Sequence, residues 1–352
     1  MTTIAEPSTR EWLSTHVFYA SHPQPFLARC LAPLVAELRE QDLLRGFFFI
    51  NYWLEGPHVR VRLLPRSPEV ADRVAALRDE HVARFLGDRP ALYAVNEKEF
   101  VQQSYDVLFR LEFSPAERER SVDSSGQMVL QRNNTAVDWP YEPEFGRYGG
   151  PVGVVLSEEH FEVSSDLCLR LARQRRLQRR THLLATAALL TTVLVRTFLP
   201  DLDDQREFLD AYEEHWRHSF HGTDYLEGLD MATPAGTSGQ EVGRILRAAD
   251  DLVDRAAGRD PAGTGADDEE DSVPLVWARH CRDLERRVRA AAGRGELEFV
   301  DHEGSVRPDA RDSLERLLFS YVHMTNNRLH VLISDEVYLT RLLRTAFAGG
   351  PG

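Results

Sequence analysis

Hydrophobic and polar positions in the N-terminal third of the chain follow strand and helix periods in turn. Strands are predicted where β-branched and aromatic residues cluster or alternate, and helices where apolar residues recur three and four positions apart. The predicted elements are, in order, a strand at Trp12–Tyr19, a helix at Phe26–Leu44, strands at Gly46–Trp53 and His58–Leu64, a helix at Pro68–Leu86 and a strand at Tyr105–Phe113.

This order of strand, helix, strand, strand, helix and strand defines a fold class for residues 12–113. It predicts a ferredoxin-like antiparallel sheet with its helices on one face. Residues 114–156 are rich in turn-forming residues and are predicted to be mostly loop. The N-terminal part is therefore expected to be an α/β layer that precedes a region of different character.

The pattern turns helical after residue 156. The predicted helices are 157–175, 180–199, 204–219, 238–258, 275–292, 311–330 and 335–347. His182–Val195 is apolar nearly all round, which indicates a buried helix, and the Gly- and Asp-rich stretch Gly258–Asp271 is typical of a mobile surface loop. The fold class is thus α+β, with a ferredoxin-like part at 12–113 and a mainly helical part at 157–348, in one domain spanning 1–352.

The composition indicates the cellular location of the protein. The chain has 352 residues, of which 42% are hydrophobic and 28% charged, an ordinary globular balance. No run reaches the roughly 18–20 apolar residues of a membrane span, and the first residues lack the features of a signal peptide. Cysteine occurs three times without CxxC spacing, which favours a reducing compartment. We expect a soluble cytoplasmic protein that does not enter a membrane.

The charge balance argues against one class of partner. The formal net charge is −14, from 42 Lys+Arg against 56 Asp+Glu, and proteins that grip nucleic acid through phosphates usually have a basic surface. Direct binding of nucleic acid is therefore disfavoured. Lysine occurs once, at Lys98, so nearly all positive charge is arginine. This bias is consistent with a GC-rich genome, and arginine also binds carboxylates bidentately.

The first candidate site is the strand that begins at His58. Arg60 and Arg62 are two residues apart and project from the same face as His58, whereas Val59 and Val61 point to the other face. Two guanidinium groups on one face suit the binding of a carboxylate. The alternative interpretation is a solvated, polar sheet face.

The second candidate is the loop Tyr141–Gly150. Its two final glycines permit a tight turn, so that the loop can present Glu144 and Arg147 to a ligand. A turn-rich surface loop without any function is the alternative.

The third candidate lies on the predicted helix 311–330. Ser320, His323 and Asn327 form a polar line beside an apolar stripe, with Arg328 next to them. Histidine titrates near neutral pH, which suits proton abstraction. A structural histidine with satisfied hydrogen bonds is the alternative.

Together the three motifs carry a resemblance that none carries alone. FFFINYWLEGPHVRVRL, YEPEFGRYGG and SYVHMTNNRL appear in this order and are followed by the final helix SDEVYLTRLLRTAF. The chain resembles, from Trp12 to Phe347, the C-terminal, thiopeptide-type domain of class I lantibiotic dehydratases.

The resemblance implies an activity and its residues. In such enzymes a Ser or Thr of a ribosomal precursor peptide is glutamylated from glutamyl-tRNA, and this domain then expels glutamate to leave dehydroalanine or dehydrobutyrine. The family's elimination residues correspond to His323, Arg62 and Arg147. The residues expected to bind the substrate are Arg60, Glu144, His58, Ser320, Asn327 and Arg328. We expect the leader and core of a precursor peptide as substrate, a separate tRNA-dependent glutamylation protein as partner, and no metal or other cofactor.

Two other functions remain open on the sequence. Related stand-alone proteins are pyridine synthases, which join two dehydroalanines in a formal [4+2] aza-cycloaddition and release the leader peptide. The third possibility is a peptide-binding subunit without catalytic activity. Elimination is preferred because Arg62, Arg147 and His323 are all in place. The reaction would require these three residues around one cleft, since acid–base catalysis needs near-contact geometry.

Overall fold

The structure is a computed structural model, and it describes residues 10–92, 108–109, 118–119, 121–124, 128–174, 179–221, 226, 237–259, 272–301 and 304–348. The chain forms two compact units. The sheet unit comprises residues 11–141 and 215–230, and the helical unit comprises residues 1–10, 142–214 and 231–352. Whether the two behave as one domain, as expected from the sequence, stays a prediction.

The sheet unit contains a four-stranded antiparallel sheet. Its strands are β1 (Leu13–Phe18), β2 (Leu44–Tyr52), β3 (His58–Pro65) and β4 (Thr135–Asp138), in the spatial order β2-β3-β1-β4. Every neighbouring pair is antiparallel, and His16 of β1 lies opposite Arg60 of β3. The first three strands follow the sequence prediction closely, and the predicted ferredoxin-like sheet is confirmed.

The fourth strand differs from its prediction. Of the predicted strand Tyr105–Phe113, only Leu108 and Phe109 are among the described residues, and both are helical. The edge position is taken instead by β4, within the stretch predicted to be loop. A four-residue edge strand whose residues are half-buried and exposed in alternation leaves little hydrophobic pattern to detect.

The helices of the sheet unit cover one face of the sheet. They are α1 (Gln24–Phe26), a π-helical turn (Leu27–Leu31), α2 (Ala32–Glu40), a 3-10 turn (Pro68–Val70) and α3 (Ala71–Asp88). The guanidinium of Arg39 on α2 lies 5.2 Å from the ring centre of Phe47 on β2, and Phe47 lies opposite Leu63. Because neighbouring residues alternate between faces, Arg60 and Arg62 project from the face opposite α2.

The helical unit contains most of the remaining elements. They are α4 (Phe145–Tyr148), α5 (Gly150–Arg173), α6 (Arg180–Phe198), α7 (Leu202–Ser219), α8 (Thr237–Ala256), α9 (Val273–Gly293), α10 (Ala310–Leu329) and α11 (Ile333–Ala348), with the hairpin β5 (Phe299–Asp301) and β6 (Gly304–Val306). The residues of α7 from 215 onward are grouped with the sheet unit. The predicted helical half is confirmed, and most ends agree within two or three residues.

The start of α5 and the predicted loop Gly258–Asp271 have different outcomes from the other predictions in this half. Helix α5 begins at Gly150 rather than 157, because Pro151 fits the first turn of a helix even though Gly and Pro suggest a loop. The predicted loop Gly258–Asp271 lies almost entirely outside the described residues, since residues 260–271 are not described.

Helix α6 forms the centre of the helical unit. It packs against α8, α9, α10 and α11, and its carbonyl at Leu190 accepts a hydrogen bond of 3.1 Å from the indole of Trp277. By length and composition α6 could span a membrane, although no membrane span was expected from the sequence. More than half of the helix is buried inside the protein. The first turns around His182 are exposed, so the predicted burial holds only for its later turns.

Candidate functional site

The polar face of the sheet is buried rather than solvated. His58 and Arg62 each expose only 4% of their surface, and His16 of the neighbouring strand exposes 5%. The alternative of a solvated sheet face is therefore wrong. Burying arginine and histidine in this way costs free energy unless a partner compensates, so the contacts of each side chain matter.

Arg62 lacks an acidic partner among the described residues. Its Nη2 donates to Nε2 of His16 at 3.4 Å, and its Nη1 lies 3.5 Å from the carbonyl of Val61. Its Nε has no hydrogen-bond partner in the described part of the chain. The guanidinium lies 5.5 Å from the ring centre of Tyr141. Burial, followed by repulsion from Arg60, lowers the pKa of Arg62 to about 9.

Two neutral histidines lie beside Arg62 in a stack of rings. Trp139, His16 and His58 follow one another with ring centres 5.7 and 4.9 Å apart. Burial lowers the pKa of His16 to about 2 and that of His58 to about 3. His58 donates from Nδ1 to the carbonyl of Gly56 at 2.8 Å and accepts at Nε2 from Nε of Arg60 at 3.3 Å. These two bonds fit the neutral tautomer of His58 that carries its proton on Nδ1. The free lone pair at Nε2 then accepts from Arg60 and so orients the Arg60 side chain.

The loop that carries Arg147 is packed closely against the hairpin. Gly149 ends α4 with φ +79°, and a Cβ at this position would lie 2.9 Å from the ring of Phe299. Its carbonyl accepts a hydrogen bond of 3.2 Å from the backbone N–H of Glu298. A Cβ at Gly153, on the next turn, would lie 1.7 Å from the carbonyl oxygen of Tyr148. The glycines are therefore required for this approach, and the loop is more than a generic turn.

Arg147 makes contact with the helix that bears the candidate base. Its Nε donates to Oγ of Ser320 at 3.3 Å, and its Nη1 donates to Oε2 of Glu144 at 3.4 Å. The pair with Glu144 is well exposed, at 45% and 59% of the side chains, and is a weak ion pair for that reason. Since Ser320 and His323 are one helical turn apart on α10, Arg147 and His323 occupy neighbouring parts of one surface.

His323 is held by a buried carboxylate. Its Nδ1 lies 3.1 and 3.3 Å from the two oxygens of Glu336, whose residue is 1% exposed. The hydroxyl of Tyr212 also donates to Glu336. An ionised carboxylate only accepts, so this geometry fits a His323 ring that carries a proton on Nδ1 and directs Nε2 away from Glu336. The side chain of His323 is 19% exposed, so it is open to solvent in part.

The last two predicted substrate-binding residues have different surroundings. Asn327 is half-buried, and its backbone carbonyl accepts from the N–H of His330 at 2.9 Å. Arg328 is fully buried, donates to Oγ of Ser165 and the carbonyl of Met324, and lies 4.4 Å from the ring centre of Phe161. Contact of either residue with substrate stays a prediction, and the surroundings of Arg328 are those of an interhelical contact.

The structure brings three of the predicted site residues together but does not test whether Arg62 joins them. Arg147, Ser320 and His323 share a surface of the helical unit, whereas Arg62 belongs to the sheet unit. The expectation that Arg62 joins the others around one cleft stays a prediction.

Several residues of these clusters were missed in the sequence. Glu336 and Tyr212 lie on other helices than His323, and His16 lies on another strand than Arg62. One signal was present, because Glu336 lies three residues from both Ile333 and Leu339, on an apolar stripe of the final helix where an acid needs a partner. No local pattern indicated Tyr212 or His16.

The chain combines an antiparallel sheet that bears the buried Arg62 with a helical unit in which a carboxylate holds His323. Comparison with known proteins identifies the class of protein to which it belongs. The family model described as Lantibiotic biosynthesis dehydratase C-term matches residues 12–347. The chain belongs to this family, as its motifs indicated. No curated protein matches the sequence.

Solved structures share the fold at low sequence identity. "Pyridine synthase, TbtD, from thiomuracin biosynthesis" is 19% identical with a TM-score of 0.69, over 97% of this chain and 99% of that chain. TsrL is 18% identical with a TM-score of 0.56, over 96% of this chain and 95% of that chain. The tRNA-dependent lantibiotic dehydratase MibB from Microbispora sp. 107891 is 20% identical with a TM-score of 0.52, over 98% of this chain and 28% of that chain.

Proposed function

We propose that the protein eliminates glutamate from glutamylated Ser or Thr residues of a ribosomal precursor peptide. The products are dehydroalanine or dehydrobutyrine and free glutamate. His323 is the proposed base. Arg147 is proposed to stabilise the negative charge that develops in the reaction, and Arg62 is proposed to bind the carboxylate of the departing glutamate. The proposal rests on family membership and on the geometry around each of these residues.

The proposed step moves one proton and breaks one bond. Nε2 of His323 takes the α-proton of the glutamylated residue, and the electron pair of that C–H bond forms the Cα–Cβ double bond. The bond between Cβ and the ester oxygen breaks, and glutamate leaves as a carboxylate. The negative charge that develops on the peptide carbonyl needs a cationic donor, and Arg147 is the proposed donor because Ser320 holds it one turn from His323.

The observation that carries the proposal is the state of Arg62. Among the described residues its buried guanidinium has no carboxylate partner, and an uncompensated buried charge costs several kcal/mol. A carboxylate from the substrate would supply the missing partner and would bind bidentately. Glutamate elimination provides such a group on the departing glutamyl residue. The two neutral histidines beside Arg62 would add no competing charge.

A second candidate function is that of a pyridine synthase. The observation in its favour is the match with TbtD, which extends over 99% of that chain at a TM-score of 0.69. A cycloaddition of this kind releases the leader peptide and has no departing glutamate whose carboxylate would need a buried arginine. Elimination is therefore preferred on the chemistry of Arg62.

The proposed function also implies partners and a location. The substrate would be a precursor peptide with a leader and a core, glutamylated by a separate tRNA-dependent protein. The reaction needs no metal or organic cofactor, and we place it in the cytoplasm, where precursor peptides are made.

The test is an assay on a defined glutamylated peptide. Wild-type protein is incubated with a precursor peptide that carries one glutamylated serine, and mass spectrometry follows the loss of glutamic acid. We expect elimination by wild-type protein, a loss of about 10²–10⁴-fold for His323→Ala, and normal activity for the exposed His182→Ala. A macrocycle formed from a dehydroalanine-bearing peptide, without any loss of glutamate, would instead identify a pyridine synthase.

A further inference from the structure

We propose that Glu336 and Tyr212 are positioning residues for His323, and that they set which of its nitrogens takes the substrate proton. The inference deepens the proposed function and rests on it. Tyr212 on α7 holds Glu336 on α11, and Glu336 holds Nδ1 of His323 on α10. The three side chains thus form a hydrogen-bonded series drawn from three helices.

Glu336 is a buried acid without an arginine or lysine among its described partners. It is 1% exposed, and the described donors to its side chain are His323 and Tyr212. Isolated carboxylates are rarely buried because loss of hydration is expensive, so these two donors must compensate for it. By contrast, Glu213 is bound by Arg341 at 2.6 Å, and Asp335 is bound by Arg180. Glu336 alone of these three acids is directed to a histidine.

Tyr212 is fixed so that its hydroxyl reaches Glu336. The residue is 1% exposed, and its ring centre lies 4.6 Å from that of Phe319 and 5.9 Å from that of Phe208. A buried ring that packs against two phenylalanines has little freedom to turn away. Its O–H therefore occupies one lone pair of Glu336 and leaves the others for His323.

The arrangement matters most when the proton is transferred. Proton abstraction at Nε2 turns the ring into an imidazolium, which the anionic Glu336 stabilises through the bond at Nδ1. Glu336 keeps its charge and does not take the proton itself. In this respect it acts as a carboxylate that orients a histidine base, a role whose loss costs enzymes large factors in rate.

The kinetic test uses two variants that keep the packing. Glu336→Gln removes the charge, and Tyr212→Phe removes the hydroxyl while the ring still packs against Phe319. We expect kcat to fall about 100-fold for Glu336→Gln and about tenfold for Tyr212→Phe, with KM for the glutamylated peptide within about twofold of wild type. A purely structural role would instead lower the folded fraction and leave kcat per folded molecule unchanged, which would overturn the proposal.

Matched controls exist on the same helices. Glu213→Gln removes a buried acid beside Tyr212 that pairs with Arg341, and Tyr338→Phe removes a hydroxyl from a half-buried tyrosine on α11. Both are expected to keep the kcat of wild type. If either control lowers kcat as much as the test variants, the loss is not specific to the series and the proposal fails.

A second measurement separates this inference from the proposed function. Nitrogen-15 NMR of histidine-labelled protein without substrate, with His323→Gln to assign the signal, reports which ring nitrogen carries the proton. We expect wild-type His323 to be protonated at Nδ1, and Glu336→Leu to lose that pattern. A wild-type signal from the Nε2–H tautomer would overturn the positioning role, whether or not glutamate is eliminated. The expected signal without any elimination would reject only the proposed function.

Discussion

Arg147 donates from Nε to Oγ of Ser320 over 3.3 Å, although 173 residues separate the two in the chain. This single bond joins the loop at Tyr141–Gly150 to the middle of α10. Because His323 follows Ser320 by one helical turn, Arg147 is bound one turn from the candidate base. Two motifs that the sequence could only place in order thus become parts of one surface.

The bond between Arg147 and Ser320 leads to a prediction about charge and geometry. Arg147→Lys keeps the positive charge but cannot donate to Ser320 and Glu144 with one planar group. We expect kcat/KM for glutamate elimination to fall by about 10²-fold, and Ser320→Ala to cost about tenfold. The assay is mass spectrometry on the glutamylated peptide. Arg311→Lys, an exposed change at the start of α10, is the control, and equal losses in all three variants would contradict the prediction.

The backbone at Gly149 leads to a prediction about stability. Its φ of +79° disfavours any L side chain, and an added Cβ would meet the ring of Phe299 at 2.9 Å. We expect Gly149→Ala to lower the free energy of unfolding by about 1–3 kcal/mol and to reduce elimination, since the loop that holds Arg147 must shift. Urea unfolding measures the first effect. Gly293→Ala, where a Cβ meets nothing within 4 Å, should be neutral, and a neutral Gly149→Ala would show that the turn is not constrained.

The buried charge of Arg62 predicts opposite effects on stability and activity. Arg62→Met removes a guanidinium that has no acidic partner among the described residues, so the free energy of unfolding should stay the same or rise. Elimination should be lost, because the proposed carboxylate contact is gone. Arg78→Met is the matched control, since Arg78 is equally buried but pairs with Asp138 and Asp79, and it should destabilise the fold. Strong destabilisation by Arg62→Met would mean that the arginine is structural.

The neutral histidines predict a dependence of stability on pH. Burial lowers the pKa of His58 to about 3 and that of His16 to about 2, below the ordinary value of 6.5. The unfolded chain therefore binds these protons first as pH falls. The free energy of unfolding should be insensitive to these groups above about pH 6.5 and should fall below it, by up to about 1.4 kcal/mol per pH unit for each histidine.

The variant that checks this dependence is His58→Gln. Urea unfolding between pH 7 and 4 should show a shallower loss of stability for this variant than for wild type. His182→Gln, at an exposed position, is the control and should behave as wild type does. Parallel curves for wild type and His58→Gln would show that His58 does not stay neutral in the folded protein.

Much of the architecture was determined by the sequence alone. Strand β3 alternates with a period of 2, and helices α7 to α10 carry a period near 3.6, which reports which side chains face a core. Strand β2 and helix α6 were marked instead by dense apolar runs. The order of these elements was enough to predict the ferredoxin-like sheet and the helical half. The three motifs were enough to predict the family. All of this information is local, because it depends on residues near one another in the chain.

The tertiary structure decided what depends on distant contacts. Strand β4 forms because it pairs with β1, more than a hundred residues away, and its own four residues carry little pattern. The face with His58 and Arg62 alternates as a solvated strand would, yet its burial follows from packing that periodicity does not encode. Glu336 is 13 residues from His323 and 124 from Tyr212, and only folding brings the three together. A hydrogen-bonded series of side chains needs distances and angles, and these exist only once the helices have packed.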